Sequence, residues 1–372
     1  MPAKNKNKIL DDRSIIKSLT KVSKHGKENY LNADGKAISR IWFNKVHAFY
    51  EGYAVVELIF LKKLYYNYIN PYGKLLSKKW FRYASDFSDS LGLVKLDENN
   101  FCFLTKKGEV WLNKHFYFAR SFCEGFAAIQ DKETLLFNFI NQNGEFLSKE
   151  QYFSVSDFNN KIAIVSHKDT RKLNIIDTKG KILSPYFWFD YFSNFIGHYA
   201  IVQIGKHFNY IKRNGKLLFE KSNLIYCEHF YDGVARVQRE DMLWNYIRED
   251  GTPLSPIWLK KLHLFHKGLA RAQREDEFWN YLKITGGFLS TKEWFKQAKT
   301  FRNDIANVQR CDEFWYLLKS DGTILETIPF LNPITFYNGK ARVQRIDGCY
   351  NILRPDGSYV YSSWYENYWD IT

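Results

Sequence analysis

The sequence predicts an all-β protein, a tandem array of about ten β-meander or hairpin repeats of about 36 residues each. Three observations predict it. A turn glycine recurs in steps of 35 to 38 residues along the 372-residue chain. A small-x-apolar alternation of period two recurs at a constant offset from that glycine. Aromatic residues make up 18% of the chain, and aromatics favour the half-buried pleated surface of a sheet. Periods of this size mark arrays in which each copy packs mainly on its neighbours. An open, solenoid-like superhelix is expected, with a β-propeller-like ring as the alternative. Propeller blades carry four strands, and each copy has room for three short ones.

The turn glycines are Gly35, Gly73, Gly108, Gly144, Gly180, Gly215, Gly251, Gly286, Gly322 and Gly357. Six follow Asp or Asn, as in Asp250-Gly251 and Asn143-Gly144, the strongest short hairpin signal because both residues tolerate positive φ. Three residues beyond each stands an apolar residue such as Leu76, Leu254 or Leu289. Six residues before it stands Asn in eight copies: Asn29, Asn67, Asn138, Asn174, Asn209, Asn245, Asn280 and Asn351, with Cys102 and Tyr316 in the other two. An aromatic residue usually precedes that Asn, and two mostly apolar residues follow.

A second strand is expected at the small residues Ala54, Gly92, Ala127, Ala163, Ala200, Ala235, Ala270, Ala306 and Ala341, each followed two residues later by an apolar one. Five residues before each stands Phe: Phe49, Phe87, Phe122, Phe158, Phe195, Phe230, Phe265, Phe301 and Phe336. A buried aromatic at one place per copy is the expected anchor for stacking unit on unit. A third segment, as in Trp258-Leu262-Phe265, is spaced either for a short helical turn or for an irregular crossover, and Pro333 favours the crossover in the last copy.

Tyr231–Gly251 and Phe336–Gly357 resemble the bacterial WG-repeat family, whose unit runs Phe-x-x-Gly-x-Ala-x-Val, then Trp-Gly-x-Ile, then a turn Gly. The resemblance covers about residues 29–365 and implies a β-rich array found mostly in bacteria and their mobile elements; it implies little about function. One departure is systematic: Asn stands where the family has Gly after Trp, as in Trp244-Asn245 and Trp279-Asn280. Both residues tolerate left-handed φ, so the swap suggests the same backbone under another side chain. The expected division is a basic arm or cap over residues 1–27, one continuous array over 28–365, and a tail over 366–372.

The net charge is +14, and the first 37 residues hold nine Lys or Arg against four acids. Such an arm either meets an anionic surface or is simply solvated. No signal peptide and no apolar run of membrane-spanning length is present, so a cytoplasmic protein with no membrane partner is expected, or a virion component. Five cysteines form no CxxC pair, which fits reduced thiols; Cys227 sits in an otherwise apolar column.

Catalytic spacing is missing: no phosphate loop, no G-x-S-x-G and no HExxH. His263-x-x-His266 offers two ligands without a third at a defined spacing, so neither metal nor cofactor is expected. The acid pairs Glu240-Asp241, Glu275-Asp276 and Asp312-Glu313 recur at nearly one repeat position, which fits a solvent-facing loop better than a catalytic site. The best candidate is a polar stripe on the small-x-apolar strand of repeats seven to ten: Arg236, Gln238, Arg239, Arg271, Gln273, Arg274, Gln309, Arg310, Arg342, Gln344 and Arg345. It is read either as a multivalent face for an anionic or polar partner, or as an internal ladder with each Arg paired to an acid such as Glu240 or Asp276 and each Gln bonding the next copy. The expected function is a non-enzymatic scaffold that binds a protein or serves a larger assembly such as a phage particle, with no small-molecule substrate. The alternative is a nucleic-acid-binding array using the arm and the stripe.

Overall fold

The computed structural model describes residues 12–325 and 328–367. It is an all-β chain of small antiparallel sheets, with one α-helix, Asp12–Ser18, and one 3₁₀ turn, Trp111–Asn113, among the described residues. Residues 1–190 and 191–372 form two compact units. Five turn glycines fall in each, so each unit holds five repeats.

Each repeat is built on a hairpin, and most are three-stranded meanders. In repeat seven Leu224–Cys227, Val234–Arg239 and Trp244–Arg248 pair in order, all antiparallel. Repeat eight uses Lys261–Leu262, Leu269–Gln273 and Trp279–Lys283 in the same way. The small residue of the middle strand lies opposite the apolar residue of the last, Ala235 against Ile247 and Ala270 against Leu282. All four are buried, so the small side chain makes room for its large partner across the ladder. The crossover that follows is extended rather than helical. It is held by single bridges such as Trp244 to Leu259 and Trp279 to Phe295. The segment expected as an arm contributes a strand, Thr20–Lys24, which pairs with Lys27–Leu31. Residues 1–11 and 368–372 of the expected arm and tail lie outside the described residues.

All ten turn glycines have positive φ, between +72° and +98°. Space adds a second constraint: a Cβ on Gly73 would lie 1.8 Å from the carbonyl oxygen of Ile38, and one on Gly108 2.4 Å from that of Leu76. The same approach recurs at Gly180 and Gly322, over the carbonyl oxygens of Leu147 (2.4 Å) and Leu289 (2.9 Å), so these four turns rest on the backbone of the apolar residue three positions beyond the preceding turn glycine.

Of the Phe column, Phe87, Phe122 and Phe158 are buried and the other six are half-buried, and the partner of most is specific. The residue after the Asn position in one repeat (Asn in six of these copies, Cys102 before Phe103) meets the Phe of the next: Tyr30–Phe49, Tyr68–Phe87, Phe103–Phe122, Phe139–Phe158, Tyr210–Phe230, Tyr246–Phe265 and Tyr281–Phe301. The ring centroids are 4.5 to 5.1 Å apart. Where that residue is Tyr, its hydroxyl also donates to a backbone carbonyl of the next repeat, as from Tyr68 to Ser85 (2.7 Å) and from Tyr210 to Glu228 (2.6 Å). Burial pushes the Tyr246 hydroxyl up to about 12 and that of Tyr281 higher still, so both remain donors at any physiological pH.

The Asn column departs from expectation. None of the eight has left-handed φ; all lie within the last strand of their repeat and are buried. The side chain is kept for its hydrogen bonds. In Asn67 the amide donates to the carbonyls of Ser77 (2.8 Å) and Lys79 (3.0 Å), and the side-chain oxygen accepts from the backbone N–H of Tyr68 (2.8 Å). The same pattern recurs at Asn29, Asn174, Asn245, Asn280 and Asn351. Two donors and an acceptor on a short stem satisfy the backbone of the crossover, which the sheet ladder leaves unpaired at that point.

Candidate binding face

The stripe residues alternate along each middle strand. Ala235 and Val237 turn into the core, and Arg236 and Gln238 take the opposite side. Each glutamine braces its own hairpin rather than the next copy. Gln238, Gln273, Gln309 and Gln344 donate to the carbonyls of Met242, Glu277, Glu313 and Gly348, at 2.8 to 3.0 Å. Those four acceptor residues all have positive φ. A left-handed residue breaks the ladder, and the Gln supplies the bond its carbonyl has lost.

Arg239, Arg274 and Arg345 pair with Asp241, Asp276 and Asp347 within their own loops. Hydrogen bonds from these guanidinium groups hold the three carboxyls below the usual aspartate range. Their other faces cover indole rings of the following crossover, with Arg239 4.1 Å from the Trp258 centroid, Arg274 4.5 Å from Trp294 and Arg345 4.5 Å from Trp364. Arg310 bonds Glu293 and lies over Tyr316. Glu240 pairs instead with Lys206 and His207 of repeat six.

Arg236, Arg271 and Asn307 clamp each repeat to the next. Arg236 donates to the carbonyl of Leu262 (3.3 Å), Arg271 to that of Ala298 (3.1 Å) and Asn307 to that of Ile334 (2.8 Å). Arg236 also bonds Glu228 at 2.6 Å, and Arg271 donates to His263 Nε2 at 2.9 Å. That bond requires a neutral imidazole. His263 is exposed, and partial desolvation of its ring first, and then Arg271, Arg236 and Lys261, hold its pKa below the ordinary value. Arg342 is exposed. No group of three or more His, Cys, Asp or Glu side chains that could hold a metal ion occurs among the described residues.

Two clefts open beside these clamps. One, of about 420 Å³, is lined by Arg236, His263, His266, Arg271, Tyr281 and Phe301 among others. The second, of about 540 Å³, shares Arg271 and Thr300 with it and adds Lys299, Arg302, Ile305, Asn307, Leu317, Ile334 and Phe336. No carboxylate lines either cleft. Lys299 and Arg302 are exposed and form no ion pair among the described residues. Of the predicted stripe, the structure brings only Arg236 and Arg271 to the clefts. Lys299 and Arg302 were missed because they stand in the crossover and its turn, outside the repeating strand.

A further contact was legible in principle, as an acid or Asn at the first turn position after the Phe column. In the first unit Glu51 accepts from the N–H of Ser90 (2.8 Å) and Asp89 from that of Gly125 (2.8 Å). Glu124 accepts from Asn160 (2.8 Å) and Lys161 (2.7 Å). Each carboxylate caps the turn of the following repeat.

No family model matches the chain, and no curated protein does. Among solved structures it is similar to the crystal structure of BamB from Moraxella catarrhalis, at 11% identity over 92% of this chain and 94% of that one, with a TM-score of 0.25. Superposition at that level carries no argument about function.

Proposed function

We propose that the chain is a non-enzymatic repeat scaffold of the WG type, and that its second unit binds a protein partner through the paired clefts of repeats seven to ten. The observation that carries this reading is the lining: fixed cations, no carboxylate, and an apolar wall of Ile305, Leu317, Ile334 and Phe336. A polypeptide with acidic and apolar side chains matches both features. Single-stranded nucleic acid would need open aromatic faces for base stacking. Those of Trp244, Trp258, Trp279, Trp294 and Trp364 are covered by arginines, and the exposed rings of Tyr231 and Tyr337 line neither cleft.

The test is capture from a lysate of the native host, with and without nuclease, by the wild-type chain and by Lys299→Glu/Arg302→Glu. Both side chains are exposed, so the variant should fold normally. The expected result is a protein retained after nuclease and lost with the variant. Capture that disappears with nuclease, or that the variant leaves intact, overturns the reading.

A further inference from the structure

One repeat differs from the others in a way the fold does not need. The step from Gly35 to Gly73 is 38 residues, the longest in the chain. The surplus lengthens the hairpin Tyr53–Phe60 and Lys63–Ile69, whose pairing runs out to Ile59 with Leu64 and Phe60 with Lys63. The same place in other copies carries polar tips, as in Asp97-Glu98 or Glu240-Asp241. This tip reads Ile59-Phe60-Leu61-Lys62-Lys63-Leu64, and Ile59, Phe60, Leu61 and Leu64 are 52%, 61%, 79% and 37% exposed.

The turn is also strained. Leu61 and Lys62 both have left-handed φ, +48° and +61°. This conformation suits Gly and Asn and disfavours a branched side chain such as Leu. Strain combined with exposed apolar side chains at one tip points to use rather than to stability. The charge says what the tip would meet. No carboxylate occurs from Leu58 to Asn70, and Lys62 and Lys63 flank the apolar apex. The equivalent tip of repeat one, which bridges to repeat two at Glu28 and Phe43, reads Lys24-His25-Gly26-Lys27. Two consecutive tips are therefore cationic.

We propose that the repeat-two hairpin tip docks the protein on an anionic phospholipid surface. Phe60 and Leu61 enter the acyl boundary, and Lys62 and Lys63 remain at the phosphates with Lys24 and Lys27 beside them. A convex finger needs no pocket in its partner, and ammonium groups next to an apolar apex match the layering of a bilayer interface. The expectation of no membrane partner rested on the lack of a spanning segment. No helix among the described residues is long and apolar enough to cross a membrane, and peripheral docking requires none. The proposal is independent of the clefts in the second unit.

The experiment is co-sedimentation of the full chain with vesicles of phosphatidylcholine alone or mixed with phosphatidylserine. Binding is expected on the mixed vesicles, reduced roughly tenfold or more by Phe60→Ser/Leu61→Ser and by Lys62→Glu/Lys63→Glu. Leu61→Gly relieves the turn, so it should raise the melting temperature while lowering vesicle binding, a combination that damage to the fold cannot produce. Absence of wild-type binding to serine-containing vesicles overturns the proposal. So does Phe60→Ser/Leu61→Ser binding them as the wild type does, which would mean adsorption by charge alone. Self-association lost in that variant without any vesicle binding also overturns it and makes the tip a protein contact.

Discussion

Asn245 holds Ser255 from both sides: its amide donates to the Ser255 carbonyl at 3.1 Å, and its side-chain oxygen accepts the Ser255 N–H at 3.0 Å. Both residues are buried, at 0% and 1% exposure. The same amide reaches the carbonyl of Ile257 at 3.2 Å. One side chain thereby fixes where the crossover leaves its hairpin, and seven other copies place Asn at the same point.

Asn245→Gly and Asn245→Val should therefore both destabilise the second unit, by about 2–4 kcal/mol, because each leaves buried backbone groups without partners. Denaturant unfolding followed by tryptophan fluorescence measures it. A tolerated glycine beside a damaging valine would return the column to a conformational role, for which glycine is the better residue.

Phe230 packs against Tyr199 and Tyr210 with tilted rings, the centroids 5.0 and 4.8 Å away. Phe230→Ala should cost on the order of 3 kcal/mol and act locally, since each repeat of such an array depends on its neighbours. Hydrogen exchange should show Tyr199–Ile204 and Val234–Arg239 opening while Trp315–Lys319 stays protected. Uniform loss of protection across the second unit would mean that its five repeats unfold as one.

What could be read from the sequence follows from where each cause sits. The turn glycines were legible because their constraint, positive φ, is local to Gly35 or Gly251. The Phe column was legible as an anchor but not its partner, because the ring that Phe230 meets belongs to Tyr210 of the preceding repeat. Asn245 was misread because one letter stands both for tolerance of left-handed φ and for an amide that bonds ten residues onward. The stripe was visible as a periodicity, but the Trp258 ring under Arg239 comes from the next crossover, so spacing alone left its two readings open. The repeat-two tip showed only as a step of 38 residues until the hairpin gave that surplus a place.

Stability of the second unit should fall with acid before its carboxylates titrate. The His263 pKa is lowered by partial desolvation of an otherwise exposed ring, then by Arg271, Arg236 and Lys261, so the unfolded chain takes up a proton more readily than the folded one. The stabilisation is present above the unfolded value of about 6.5 and is lost as pH falls from there through the folded value. Exchange of Leu269–Gln273, measured at pH values either side of 6.5 and corrected for the intrinsic rate, should show the loss. His263→Gln keeps an acceptor for Arg271 and should remove that part of the pH dependence; an unchanged profile would place its cause elsewhere.

The stripe itself can be set against nucleic acid by salt. If Arg236, Arg271 and Arg342 contact phosphates, binding of a single strand should weaken with salt at a slope of about −0.7 per contact. Changing all three to Gln would then flatten the slope by about two units. The structure engages Arg236 with Glu228 and Leu262, and Arg271 with His263 and Ala298. Breaking those bonds to reach a phosphate would cost about what the new contact returns. The expected outcome is weak, sequence-indifferent binding whose slope the triple variant leaves unchanged, while deletion of residues 1–11, which carry Lys4, Lys6 and Lys8, flattens it. Titration of labelled oligonucleotides between roughly 50 and 200 mM salt measures both, and a flattening confined to the triple variant would make the stripe a nucleic-acid face after all.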